Sequence, residues 1–103
     1  MKKVQVIWSA EALVDLEVIY DFLAEKSATA AQRITEGILT RTRQIETFPE
    51  SGARQQTIKS TEKIYRYLVE RDYKIIYSYQ DNAEVAYIET IFDTRQDPQD
   101  LKV

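Results

Sequence analysis

The sequence predicts an α+β domain with the element order β-α-α-β-β-β, in which a helical hairpin packs on one face of a small antiparallel sheet. Apolar residues recur at three- and four-residue intervals through residues 10–48, whereas the second half contains three runs of strand-forming residues separated by short turn sequences. One sheet covered by two helices would bury the apolar side chains of both the helices and the strands. The length of 103 residues fits a single domain spanning residues 1–103.

The first predicted element is a strand over residues 3–8, where Val4, Val6 and Trp8 alternate with the intervening side chains. Its apolar run is too short for the core of a signal peptide, and no small-residue cleavage site follows. No stretch of the sequence reaches the roughly 18 apolar residues that span a bilayer. We therefore expect a cytoplasmic protein that makes no membrane contact.

The second predicted element is a helix that starts after Ser9. The Ser9 hydroxyl can cap an orphan backbone N–H, and Glu11 in the first turn suits the positive end of the helix dipole. Two apolar stripes follow, one made of Ala12, Leu13, Leu16, Ile19, Tyr20 and Leu23 and the other of Val14, Val18 and Phe22. One stripe should face the sheet. The other packs either on a neighbouring helix, which is the commoner arrangement, or on a partner protein.

A second helix is predicted after Ser27-Ala28-Thr29, where either hydroxyl can act as the cap. Its apolar stripe comprises Ala31, Ile34, Ile38, Ile45 and Phe48. Pro49 ends this helix, and Gly52 is expected to take the positive φ of the following turn. The first half of the chain therefore reads as an αα-hairpin.

Three strands are predicted after a basic linker at residues 53–61. They cover residues 63–71, 73–80 and 84–92 and are separated by hairpin-length turns, which predicts an antiparallel meander. Asp97-Pro98 is expected to end the last strand region, because Pro removes a ladder donor. With the helices on one face, the other sheet face is left uncovered.

Tyrosines are concentrated on these strands, where Arg66, Arg71 and Lys74 accompany them. The tyrosines in question are Tyr65, Tyr67, Tyr73, Tyr77, Tyr79 and Tyr87. Ordinary strand propensity explains each one singly. As a group, Tyr and Arg on an uncovered face are typical of a recognition surface for protein or for stacked bases.

The composition excludes several classes of chemistry. With no Cys and no His, the chain has no thiol nucleophile, no disulfide, no thiolate zinc site and no histidine base, and we expect neither a cofactor nor a metal site. Residues 10–26 hold five acids and one base, whereas residues 54–74 hold six bases and three acids. The net charge of −3 disfavours direct binding to duplex DNA, although the basic middle segment could hold an anion or an acidic protein surface.

Several short motifs occur in an order and spacing that together are typical of one family. They are Trp8-Ser9 with Ala12, Asp15-Leu16 and Ile19, then Phe48-Pro49-Glu50-Ser51-Gly52, Tyr65-Arg66-Tyr67-Leu68-Val69, Tyr73-Lys74-Ile75-Ile76-Tyr77 and Ile91-Phe92-Asp93-Thr94-Arg95-Gln96-Asp97-Pro98. On these motifs the chain resembles the ParE/RelE superfamily of bacterial type II toxin–antitoxin systems, and more closely the ParE branch. The resemblance implies a cytoplasmic toxin that is neutralised by a cognate antitoxin. It also implies contact with DNA only indirectly, through that antitoxin.

The superfamily contains two target classes. Members that cleave ribosome-bound mRNA use basic residues on the sheet, which Arg66, Lys74 and Arg95 would match, together with a His or Tyr near the C-terminus as acid/base. Here Asp93 stands where many relatives carry His, and no Tyr follows Tyr87. ParE-branch members instead inhibit DNA gyrase by binding, which needs no catalytic residue. The resemblance therefore favours gyrase inhibition, with an mRNA endonuclease or a non-toxic corepressor as alternatives.

Two sets of candidate site residues follow. The candidates for binding the target are Arg66, Tyr73, Lys74, Tyr77, Asp93 and Arg95, and those for binding the antitoxin are Val14, Val18 and Phe22, together with the exposed sheet face. In the purely structural alternative, Arg66 and Arg95 only form ion pairs with carboxylates such as Glu89 or Asp93.

Overall fold

Two helices and five strands make up the computed structural model, which describes residues 3–55, 63–80 and 82–96. The strands are β1 (Gln5–Trp8), β2 (Ala53–Arg54), β3 (Tyr65–Glu70), β4 (Tyr73–Ser78) and β5 (Val85–Asp93), and the helices are α1 (Ala10–Ala24) and α2 (Ala28–Thr47). The α+β class and the helical hairpin are thereby confirmed. Strand β2 lies in the segment that the sequence predicts as linker, and two residues are too few to carry an alternation pattern. The rest of that segment, residues 56–62, and the Asp97-Pro98 pair lie outside the described residues.

The sheet is mixed rather than wholly antiparallel. Its strand order is β1-β5-β4-β3-β2, and β3, β4 and β5 form the expected antiparallel meander. Strand β1, however, runs parallel to β5, with Val6 opposite Ala86 and Trp8 opposite Ile88. The first and last strands are therefore neighbours in the sheet although they are far apart in sequence.

The predicted serine caps are present at both helix starts. Ser9 Oγ accepts a hydrogen bond from Ala12 N at 3.0 Å, and Ser27 Oγ accepts one from Ala30 N at 3.1 Å. The Ser9 hydroxyl also donates to the Glu89 carbonyl at 2.9 Å, which fixes the start of α1 against β5. The caps therefore set both the starting residue of each helix and the direction in which α1 leaves the sheet.

The core lies between the helices and one sheet face. Its largest fully buried side chains there are Ile38, Ile45, Ile75, Tyr77 and Ile88. Three residues of the predicted apolar stripes lie outside this core: Leu13 and Tyr20 of α1 are exposed, and so is Phe48, the C-cap residue of α2.

The opposite face of the sheet, called the outer face here, is not open along its centre. Strand register places Tyr67, Ile76, Lys74 and Phe92 on it, since directly opposed residues share a face. Ile76 and Phe92 are both buried, which corrects the expectation of a wholly uncovered face. Large exposed apolar side chains occur at its margins: Ile7, Val69 and Tyr87.

Candidate functional site

A cleft of about 510 Å³ lies between α1 and the adjoining parts of β4 and β5. Its apolar side chains are Val18, Ile19, Phe22 and Ile91, and its polar ones are Asp15, Tyr73, Asp93, Arg95 and Gln96. This α1 cleft brings Val18 and Phe22 of the predicted antitoxin set together with Tyr73, Asp93 and Arg95 of the predicted target set. No local pattern predicts that the two sets lie in one place, because their members are 51 to 77 positions apart in the chain.

Val18 and Phe22 of the second α1 stripe line the cleft together with Ile19 of the first stripe, and Val14 continues the second stripe beyond the cleft. Val14, Val18 and Phe22 are 57%, 60% and 52% exposed, although each is a large apolar side chain. Of the two arrangements open to this stripe, an internal contact is therefore wrong. Such a contiguous exposed apolar surface is typical of a protein-interaction site.

The polar end of the cleft is a short-range ion pair. Arg95 donates through Nε to Asp93 Oδ1 at 2.9 Å and through Nη2 to Asp93 Oδ2 at 2.7 Å. The Arg95 backbone N–H donates to the same Oδ1 at 2.9 Å. These bonds hold the pKa of the Asp93 carboxyl below its usual value, and the same pairing raises the pKa of Arg95. Both groups stay charged at neutral pH, so Asp93 is unsuited to carrying a proton there.

Tyr73 forms the floor of this polar end. Its ring is buried, with 3% of its surface exposed, and burial raises the pKa of its hydroxyl, an effect that the nearby Arg95 partly opposes. The phenol is therefore neutral at physiological pH. It can offer a hydrogen bond to an occupant of the cleft but no negative charge.

Asp15, on α1, connects the two walls of the cleft by hydrogen bonds to β5. Its Oδ2 atom accepts hydrogen bonds from Thr90 Oγ1 at 2.5 Å and from the Ile91 backbone N–H at 3.0 Å. These two bonds anchor α1 to β5 and fix the separation of the two cleft walls. The role of Asp15 could not be predicted from spacing, because its partners are 75 and 76 positions away. The sequence marks Asp15 only by its place between apolar helix positions and by its occurrence in one of the family motifs.

Arg66 and Tyr77 lie on the helical side of the sheet and hold the turn that follows α2. The Arg66 Nη1 atom donates to the carbonyls of Gly52 at 2.9 Å and of Glu50 at 3.2 Å. The fully buried Tyr77 hydroxyl donates to the Pro49 carbonyl at 2.8 Å and accepts from Gly52 N at 2.9 Å. Both residues are thereby engaged in holding the fold, and neither lines the α1 cleft.

Position 52 requires glycine because a side chain would not fit there, and not because of its backbone φ angle. It does not take the positive φ that the sequence predicts, and an added Cβ would lie 2.6 Å from the Tyr77 hydroxyl and 2.7 Å from the Tyr67 carbonyl. In the described part of the chain, positive φ angles occur at Arg71 (54°) and Asn82 (64°), in the two hairpin turns.

Lys74 lies on the outer face of the sheet, away from the α1 cleft and from the turn that Arg66 and Tyr77 hold. Its Nζ atom sits 4.2 Å from the centre of the Tyr67 ring, a cation–π contact. The alternative partner considered for the arginines, Glu89, instead accepts from Ser78 Oγ at 2.6 Å and pairs with Lys63 at 3.4 Å. The structural alternative for the arginines, an ion pair with Asp93 or Glu89, is therefore found for Arg95, which pairs with Asp93.

Clustered metal ligands and membrane-spanning helices are both absent from residues 3–55, 63–80 and 82–96. No group of three or more His, Cys, Asp or Glu side chains there could hold a metal ion. None of the helices there is long and apolar enough to cross a membrane.

Comparison with known proteins identifies the family. Residues 6–98 match the family model of the ParE toxin of the type II toxin–antitoxin system, parDE. Solved structures with the same fold include the chromosomal ParDE TA system from P. aeruginosa, at 18% sequence identity and a TM-score of 0.71, covering 88% of this chain and 96% of that one. No curated protein matches the sequence. Because the family model covers most of the chain, and the α+β fold agrees with it, the chain belongs to the ParE toxin family of type II toxin–antitoxin systems.

Proposed function

We propose that this chain acts in the cytoplasm by binding and inhibiting DNA gyrase, and that a cognate antitoxin neutralises it by covering the α1 cleft. The observation that carries the proposal is the separation of Arg66, Lys74 and Arg95. A ribonuclease would need these cations to converge on one phosphate. Each is instead held by its own neighbours at a different place on the sheet.

The geometry of the cations gives little support to phosphate cleavage. Arg66 is occupied by the Gly52 and Glu50 carbonyls on the helical side, Lys74 lies over Tyr67 on the outer face, and Arg95 is neutralised by Asp93. General acid–base catalysis typically contributes 10²- to 10⁴-fold, and a charged Asp93 has no proton to supply at neutral pH. A chain of this kind is better suited to recognition than to chemistry.

The α1 cleft has the features of a protein-binding surface. It combines exposed Val18 and Phe22 with charged and hydrogen-bonding groups at its far end. Interfaces of this type derive most of their binding energy from a few apolar or aromatic anchors, and their rim of polar groups provides orientation. An antitoxin segment that fills the cleft would also cover Tyr73, Asp93 and Arg95, three of the candidate target-binding residues.

Two assays on the purified full-length toxin test the proposal. We expect inhibition of gyrase supercoiling and no cleavage of ribosome-bound mRNA, with the inhibition relieved by the antitoxin encoded beside the toxin gene. Codon-phased cuts in translated mRNA that disappear in Lys74→Ala or Arg95→Ala would overturn the proposal. These two variants are preferable to Arg66→Ala, because Arg66 also holds the turn at residues 49–52.

The corepressor alternative predicts a different pattern. A toxin that binds its antitoxin but leaves both gyrase and mRNA unaffected would act only together with that antitoxin at the operator. Such a result would retain the antitoxin part of the proposal and remove the gyrase part.

A further inference from the structure

The exposed apolar stripe of α1 is interleaved with carboxylates. Glu11, Asp21 and Glu25 are exposed, and each lies three residues from a stripe residue, next to Val14, Val18 and Phe22 respectively. Residues three apart on a helix are surface neighbours. The exposed face of α1, called the α1 rim here, shares Val18 and Phe22 with the α1 cleft and is both apolar and acidic. The one basic residue of 10–26, Lys26, lies with its Nζ 5.8 Å from the centre of the Phe22 ring.

Among the described residues these carboxylates have no partners of their own. None of the three side chains forms an ion pair or a hydrogen bond within residues 3–55, 63–80 and 82–96. This differs from the acids that line the cleft, since Asp15 is bonded to β5 and Asp93 to Arg95. The charge on the rim is consequently available to an external molecule.

Two of the carboxylates lie where they oppose the stability of the helix. Asp21 is in the last turn of α1, Glu25 is its C-cap, and that turn contains no basic residue. The C-terminal end of a helix carries partial negative charge, so an acidic side chain there is unfavourable. The isolated toxin gains nothing from acids at these positions. A basic partner would remove the conflict.

We propose that a basic amphipathic segment of the antitoxin lies along the α1 rim and enters the α1 cleft at Val18 and Phe22. Its apolar side chains would pack on Val14, Val18 and Phe22, and its Lys or Arg side chains would pair with Glu11, Asp21 and Glu25. The inference rests on the proposed function only in that the antitoxin is the partner. An acidic segment is disfavoured on this surface because like charges would face each other across a desolvated contact.

The test measures the affinity of the full-length toxin for the antitoxin encoded beside it, at about 50 mM and about 500 mM salt, where charge screening differs strongly. The variant is Asp21→Lys/Glu25→Lys, and its control is Glu36→Lys, the same type of acid-to-lysine substitution, with half the total charge change, at an exposed position of α2 outside the α1 rim. We expect the double variant to bind on the order of tenfold more weakly at low salt and to lose most of its salt dependence. The control should bind like the wild type.

A second readout separates the charge effect from misfolding. Because lysine suits the end of a helix, the double variant should melt at the same temperature as the wild type or higher while binding the antitoxin less well. Unchanged affinity, an equal loss in Glu36→Lys, or wild-type binding that does not depend on salt would each overturn the inference. Toxin that self-associates through the same carboxylates would also overturn it, since the occupant would then be a second copy.

The outcome for the proposed function can be read separately. If the antitoxin binds tightly and both variants bind equally well, only the basic-segment inference fails. If the antitoxin does not bind the wild-type toxin at either salt concentration, the antitoxin part of the proposed function fails with it.

Discussion

At the scale of single residues, two side chains that the sequence suggests as target-binding residues instead stabilise the fold. Tyr77 and Arg66 together satisfy the backbone of the turn that follows α2, and Gly52 is the residue that lets the Tyr77 hydroxyl approach. A tyrosine or an arginine on a strand can thus look like a recognition residue in the sequence while its polar atoms are used internally. The distinction depends on which sheet face the residue occupies.

Removing the Tyr77 hydroxyl should destabilise the protein. Tyr77→Phe leaves the Pro49 carbonyl without its donor and Gly52 N without its acceptor, which should lower the free energy of unfolding by about 1–3 kcal/mol. Urea denaturation followed by the fluorescence of Trp8, the single tryptophan, measures the change. The control Tyr87→Phe, at a half-exposed position of the outer face, should shift stability by less than about 0.5 kcal/mol. Equal effects in the two variants would contradict the structural role of Tyr77.

The same hydroxyl predicts a pH dependence. Burial raises the pKa of Tyr77 above its ordinary value of 10.0, so the folded protein keeps this proton at a pH where the unfolded chain releases it. The contribution to stability is complete below pH 10.0 and is lost as the pH rises through the folded-state pKa. Unfolding measured from pH 9 to 11.5 should therefore show a falling free energy of unfolding. That fall should be shallower in Tyr77→Phe, and a slope identical to that of the wild type would contradict the assignment.

At the scale of elements, α1 is attached to the sheet by polar contacts that leave much of its apolar surface outside. Ser9 and Asp15 bind β5, whereas Ala12 is the one residue of the helix that is completely buried. Helices usually gain their stability by burying an apolar face. An apolar stripe that stays exposed on an anchored helix is instead typical of a surface that binds a partner protein.

Replacing Val18 by Asp should weaken antitoxin binding without unfolding the toxin. Val18 is 60% exposed in the free protein, so a charged side chain there remains in water until the partner binds. We expect a loss of affinity of at least about tenfold, because a charge would be buried in an apolar contact, with a melting temperature close to that of the wild type.

Leu13→Asp is the matched control for this experiment. Leu13 is 54% exposed on the same helix but does not line the α1 cleft. An unfolded Val18→Asp variant would mean that Val18 supports the core. An equal loss of affinity in Leu13→Asp would mean that binding is not directed to the cleft.

Local features of these elements could be predicted from the sequence, and long-range ones could not. The caps Ser9 and Ser27 follow from a hydroxyl placed before a periodic apolar run, and the meander follows from short turns between strand-forming runs. The parallel pairing of β1 with β5 and the bonds of Asp15 to β5 join segments about 75 or more positions apart. No local pattern specifies such contacts, and the α1 cleft exists only because of them.

At the scale of the whole molecule, the arrangement of charge and apolar surface favours protein recognition. The net charge of −3 and the acidic rim of α1 disfavour direct contact with DNA, whereas the exposed stripe of Val14, Val18 and Phe22 favours a protein partner. The cations that could act on a phosphate are distributed over both sheet faces. Binding rather than catalysis is the activity that this arrangement best supports.

The measurement that tests this most directly is gyrase supercoiling as a function of the toxin-to-gyrase ratio, with translated mRNA monitored in parallel. A binder must act stoichiometrically, so we predict inhibition that rises with toxin until its sites on gyrase are filled and that is reversed by an equimolar amount of antitoxin, while the mRNA stays intact. Gyrase that keeps its full activity at excess toxin, together with mRNA cleaved by far less toxin than there are ribosomes, would contradict the account.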